Sequence, residues 1–166
     1  MRNSTKKIAL LGVLTSVALV LSYLEALLPP ISTAAPGIKM GLPNIIIVFL
    51  LYKFGLKEAL TVSAIRVFVV ALLFGNVMTL AYSVAGAVLS LALMTLFKKL
   101  NLFSIIGVSI IGGISHNLGQ ILVAIFLFDT IQIGYYMIIL AITGTIAGVV
   151  IGIIGSILVK KLEKFV

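Results

Sequence analysis

Apolar residues run through the chain in long blocks, and short polar clusters separate them. The first block, Ile8 to Leu28, follows the basic start Arg2, Lys6 and Lys7 and stops at Pro29-Pro30. A helix over it reaches about 31 Å, enough to cross a hydrocarbon core. It is longer than the roughly 7–15 apolar residues of a cleaved signal, so it reads as a retained first span. Further blocks predict spans over 40–54, 56–74, 77–97, 102–128 and 131–159, divided by Gly55, Gly75-Asn76, Lys98-Lys99-Leu100-Asn101 and Asp129-Thr130. The pattern predicts an all-α membrane protein, a bundle of six transmembrane helices forming a single integral domain over residues 1–166. The second block is short, at about 22 Å, and holds Pro43 and Asn44 near its start. It predicts either a deep start for that span or an irregular backbone around Gly41 to Asn44 that lines a cavity.

Composition strengthens this reading: 62% of residues are hydrophobic and 10% charged, against about a quarter charged in soluble domains. The net charge of +8 would suggest nucleic acid in a soluble protein. With six spans and an inner N-terminus, Arg2, Lys6, Lys7, Lys53, Lys57, Lys98, Lys99, Lys160, Lys161 and Lys164 all fall on the cytoplasmic side. Lys39 falls outside, and Arg66 lies within the membrane. Orientation therefore explains the charge, both termini are expected inside, and no nucleic-acid partner is implied. The expected location is a cell membrane, crossed several times, of the prokaryotic plasma-membrane kind.

Small residues mark two faces for close helix contact. Gly12 and Ser16 on span one form a small-xxx-small pair suited to docking a partner helix. Gly144, Gly148 and Gly152 on span six form two overlapping GxxxG steps, suited to packing within the fold or against another protein.

Polar side chains inside the apolar blocks are the candidate chemistry. Ser115-His116-Asn117-Leu118-Gly119-Gln120 holds the single histidine of the chain, and His116 and Gln120, four apart, share a helix face. Arg66 sits mid-span, where a cation costs at least about 2.5–3.5 kcal/mol and must face the bundle interior. Counting from the outer ends places Glu25 at about 4–5 Å depth, Arg66 at about 12 Å and His116 at about 18 Å. These depths predict a pocket that opens outward and narrows toward His116, with Lys39, Asn44 and Asn76 around its mouth. The candidate ligand contacts are Lys39, Asn44, Arg66, His116, Asn117 and Gln120. Four of them have a structural reading as well: Arg66 can pair with Glu25, and His116, Asn117 and Gln120 can bond between helices.

The chain lacks cysteine, an HExxH helix and a glycine-rich phosphate loop, and Asp129 is its only aspartate. No catalytic residue, metal site or cofactor is assigned, and enzyme activity is not expected. A pocket rich in basic and amide groups suits an anionic or carbonyl-rich small molecule.

The block Pro36-Gly37-Ile38-Lys39-Met40-Gly41-Leu42-Pro43-Asn44, then Arg66, Gly75, Gly107-Val108-Ser109 and His116-Asn117-Leu118-Gly119-Gln120, resembles the membrane family labelled heptaprenyl diphosphate synthase component I, also called the Gx transporter family. Pro43 departs from the small residue expected at its position. That family is in turn similar to the substrate-binding S components of energy-coupling-factor (ECF) transporters. The resemblance implies six helices with both termini inside and an outer loop, here 29–40, capping a substrate. It also implies a transmembrane coupling protein docked on span one and an ATPase module as energy source. The expected function is a small-molecule-binding subunit of an uptake transporter. The alternative is a non-catalytic membrane accessory subunit of isoprenoid, quinone or electron-transfer machinery.

Overall fold

The structure is a computed structural model, and it describes residues 2–27 and 41–162. Lys39, the expected loop 29–40 and Lys164 lie outside the described residues. Six α-helices follow one another: α1 (Arg2–Leu27), α2 (Asn44–Lys53), α3 (Leu56–Phe74), α4 (Val77–Leu100), α5 (Ile105–Phe128) and α6 (Met137–Lys161). A 3₁₀ segment, Ile131–Tyr136, leads into α6. No strand occurs among the described residues.

Four stretches are long and apolar enough to cross a membrane: Thr5–Leu27, Val77–Leu100, Ile105–Phe128 and Ile131–Lys161. The other two helices differ from them for separate reasons. α3 has 19 residues but carries Lys57, Glu58 and Arg66. α2 has only 10 residues and reaches about 15 Å, half a hydrocarbon core. The expected second span from Met40 is therefore shortened. Pro43 caps α2 at φ −65, and a proline disfavours helix in the residue before it. Gly41 turns the chain at φ +72, a left-handed conformation that a side chain would strain.

α2 is the axis of the bundle. Every residue from Ile45 to Leu51 is buried, so the helix is enclosed all round, as a uniformly apolar helix must be. Its C-terminal carbonyls still need donors. Lys98 reaches back from α4 and donates from Nζ to the Leu51 carbonyl at 2.6 Å, its ammonium 5.1 Å from the Tyr52 ring centroid. This contact explains why α4 runs through Lys98-Lys99 to Leu100 rather than stopping at Phe97. The long stem keeps Lys98 packed while the head caps α2. Asn101 then ends α4 in the left-handed region at φ 53, and Ser104 opens α5 by accepting from Gly107 N–H at 3.3 Å. The expected spans four and five thus shift their shared boundary by a few residues.

α4, α5 and α6 pack most closely, through glycine. A Cβ on Gly148 would lie 2.6 Å from Ile110 Cα, and one on Gly152 2.7 Å from Ile106 Cα. The GxxxG face of α6 is therefore spent inside the fold, on α5. On the opposite side of α5, Gly119 meets α4, where a Cβ would stand 2.7 Å from the Ala85 carbonyl oxygen.

Cross-links identify the two ends of the bundle. Lys7 pairs with Glu58 at 2.5 Å, tying the starts of α1 and α3, and Lys98 ties the ends of α4 and α2. This end holds the lysines among the described residues. At the other end, Tyr23 and Phe74 stack with ring centroids 5.5 Å apart, near the turn where Asn76 and Thr79 form a capping box that starts α4.

Candidate functional site

α2 begins only at Asn44, so among the described residues no helix occupies the centre of the half of the bundle away from the lysines. A cavity of about 150 Å³ occupies that space. All six helices contribute to its wall.

Five of the six expected contact residues line it: Asn44, Arg66, His116, Asn117 and Gln120. Glu25 lines it as well. Lys39 falls outside the described residues. Gly144, expected only to pack, also borders the cavity, whereas Gly148 and Gly152 lie against α5. Asn76, expected near the mouth, is used as the α4 cap, accepting from Thr79 N–H at 2.9 Å.

The charged groups come from two neighbouring helices. Arg66 enters from α3, and its Nε is buried with no hydrogen-bond partner among the described residues. Glu25, near the end of α1, accepts the backbone N–H of Gly41. The Glu25 carboxylate acts electrostatically on the Arg66 guanidinium, yet among the described residues the closed ion pair is Lys7–Glu58, not this one. Two opposite charges thus border one cavity without neutralising each other by contact.

α5 supplies the polar side opposite. His116, Asn117 and Gln120 fall on adjacent positions of one helix face. The Gln120 amide nitrogen lies 3.3 Å from His116 Nε2. A donating amide makes Nε2 the acceptor and puts the neutral ring's proton on Nδ1. The ring packs against α4 at Gly86, where a Cβ would be 2.8 Å from His116 Cε1. His116 is therefore both a helix contact and a cavity residue. Asn117 donates from Nδ2 to the Leu140 carbonyl at 2.7 Å, which ties α5 to the start of α6 beside the cavity.

An apolar side completes the wall, with Val67, Val70, Ala71 and Phe74 from α3 and Ile151 from α6. Sequence reasoning missed these, since valine and phenylalanine in an apolar span carry no distinguishing signal. It also missed Ser22 and Ser83. A signal existed for both: Ser22 is three residues before Glu25, and Ser83 four after Thr79, spacings that share a face.

A second, shallow groove runs along the exposed face of α1, bordered by Gly12, Val13, Ser16 and Val17. A Cβ on Gly12 would meet nothing within 4 Å, and Val13 is 60% exposed. Gly12 and Ser16 therefore make no close helix contact among the described residues.

No curated protein and no solved structure matches the chain significantly. The family model described as heptaprenyl diphosphate synthase component I matches residues 14–158, a stretch that contains every described residue of the cavity wall. With nearly the whole bundle inside that match, the chain belongs to the heptaprenyl diphosphate synthase component I family.

Proposed function

We propose that the protein is the small-molecule-binding subunit of an uptake system in a cell membrane, built like the S components of ECF transporters. The observation that carries this reading is the cavity: Glu25, Asn44, Arg66, His116, Asn117 and Gln120, scattered over the sequence, border one space. Polar side chains at membrane depth are costly and mark ligand pathways. A pocket with convergent polar groups and an apolar wall is the form of a small-molecule site. Arg66, whose Nε is buried without a hydrogen-bond partner among the described residues, would hold a carboxylate or carbonyl oxygen of the ligand. His116, Asn117 and Gln120 would orient it, and Lys39 would join them from the segment 28–40.

In this reading the chain crosses the membrane six times. Both termini face the cytoplasm, on the side of the lysine-rich end. The open groove at Gly12 and Ser16 would seat a transmembrane coupling protein, which brings an ATPase module. The test is a binding screen on the purified protein in nanodiscs against vitamins, flavins and isoprenoid or quinone precursors. One of these should bind, and Arg66→Ala should abolish binding while the protein stays folded. A screen with no ligand would remove the proposal.

The family description favours a second reading. A component of a synthase implies a protein partner, and the chain would then be a non-catalytic membrane subunit of prenyl-chain or quinone machinery. Co-purification from native membranes separates the two: an ATPase pair supports the first reading, a prenyl diphosphate synthase subunit the second.

A further inference from the structure

The lysine-rich end of the bundle carries positive charge that its own acids do not balance. Five helices bring lysines there, gathered around the C-terminus of α2. Lys98 bonds the Leu51 carbonyl, and Lys7 Nζ stands 5.9 Å from the Phe54 ring centroid. Among the described residues, the carboxylate at this end is Glu58, and Lys7 takes it. Lys6, Lys53, Lys57, Lys99, Lys160 and Lys161 have no acidic partner among the described residues. The opposite helix ends carry Asp129 and the exposed rings of Phe74, Phe128 and Tyr135, and no lysine or arginine among the described residues. An acidic protein and an anionic membrane would both match the charge. The apolar residues beside the lysines decide between them. Exposed Leu60 lies three residues after Lys57, Leu96 three before Lys99 and Ile157 four before Lys161, spacings that share a helix face. Hydrocarbon one turn inward and an ammonium at the end suit acyl chain and phosphate in turn. The turn from α4 to α5 repeats the arrangement. Leu102 is 66% and Phe103 50% exposed, between Asn101, which ends α4, and Ser104, which caps α5. Phe103 rests on Phe97, ring centroids 5.5 Å apart, so the bundle holds its ring in place.

We propose that this end of the bundle is a binding surface for anionic phospholipid. Lys98 and Lys7 stay on their partners within the fold, and the other lysines take lipid phosphates. Leu102 and Phe103 enter the acyl boundary beside them, as apolar groups do at a membrane interface. A cluster of roughly four to eight basic residues next to a membrane span is the pattern that recruits acidic lipids. The preference is confined to this end, because the opposite one offers phosphate no described cation. The inference rests on the membrane placement proposed above and is independent of what the cavity binds.

The chain has no tryptophan, so Phe103→Trp places a single indole at the lysine-rich end and Phe128→Trp places one at the other. Each full-length variant is reconstituted into vesicles of mixed phosphatidylcholine and phosphatidylglycerol. One lipid or the other carries brominated acyl chains, which quench an indole they touch. At equal mole fraction, brominated phosphatidylglycerol should quench the Phe103→Trp variant at least twofold more than brominated phosphatidylcholine. The Phe128→Trp variant should be quenched equally by both. High salt should bring the Phe103→Trp ratio toward one by screening the lysines, and so should Lys53→Gln, Lys57→Gln and Lys99→Gln combined. The salt and lipid comparisons stand even where that combined variant fails to fold. Equal quenching of the Phe103→Trp variant by the two lipids overturns the proposal. So does a preference of the same size at both ends. A Phe103→Trp variant that neither lipid quenches, beside a quenched Phe128→Trp variant, overturns it too and gives this end to water or an acidic protein. If neither variant is quenched, the membrane placement fails with it.

Discussion

The Glu25 carboxylate accepts the backbone N–H of Gly41, which ties the last turn of α1 to the residue that turns the chain into α2. Gly41 has no helical partner for that N–H, and a buried orphan donor is expensive. Glu25→Ala should therefore lower stability by about 1.5–3 kcal/mol, the range for hydrogen bonds to charged groups. Glu25→Gln should recover much of that. Thermal unfolding of the purified variants in detergent checks both, and equal melting points for the alanine variant and the parent would contradict the tie.

Glycine positions separate faces used within the bundle from faces left open. A Cβ on Gly119 would meet the Ala85 backbone oxygen at 2.7 Å, and backbone cannot turn aside as a side chain can. Gly119→Ala should cost about 1–3 kcal/mol through overpacking. Gly12→Ala, with nothing within 4 Å of the new methyl, should leave the melting point unchanged or slightly raised. Comparable losses in the two variants would overturn this assignment of faces.

Lys98 should matter more than its place near a helix end suggests. Its Nζ supplies the donor for the Leu51 carbonyl at the buried end of α2, and Lys98→Met keeps the stem but removes that donor. The expected cost is about 1–3 kcal/mol. Limited proteolysis near Lys53–Gly55 should speed up in the variant, because α2 loses its terminal cap.

Asn117 bonds across helices to the Leu140 carbonyl at 2.7 Å. Asn117→Leu, close in shape, should destabilise the bundle by about 0.6–1.7 kcal/mol, the scale of interhelical hydrogen bonds in membrane proteins. It should also weaken ligand binding, since Asn117 borders the cavity. A variant with reduced stability and full binding would assign Asn117 to packing alone.

Much of the bundle was legible in the chain. Apolar blocks bounded by Pro29-Pro30, Gly75-Asn76 and Lys98-Lys99 place the helices, because the requirement for internal backbone hydrogen bonding in lipid leaves few alternatives to helix. Arg66, His116, Asn117 and Gln120 stood out for the same reason, as polarity in an apolar stretch has to be paired or functional. The short second block also carried its own warning at Pro43, whose ring bars helix before it.

The sequence by itself determined the helical class, the lysine-rich end and the set of polar residues turned inward, since each follows from the cost of placing a charge or an unpaired peptide group in hydrocarbon. Tertiary structure decided what those residues do together. It closed the Gly148 and Gly152 face onto α5 and left the Gly12 face open. It buried Ile45 to Leu51 of α2 and brought Glu25 and Arg66 to one cavity without closing them into an ion pair. A single helix period can say which residues share a face, but it cannot say which other helix that face meets. That depends on the packing of α1 to α6 around a half-length α2, which nothing local in the chain encodes.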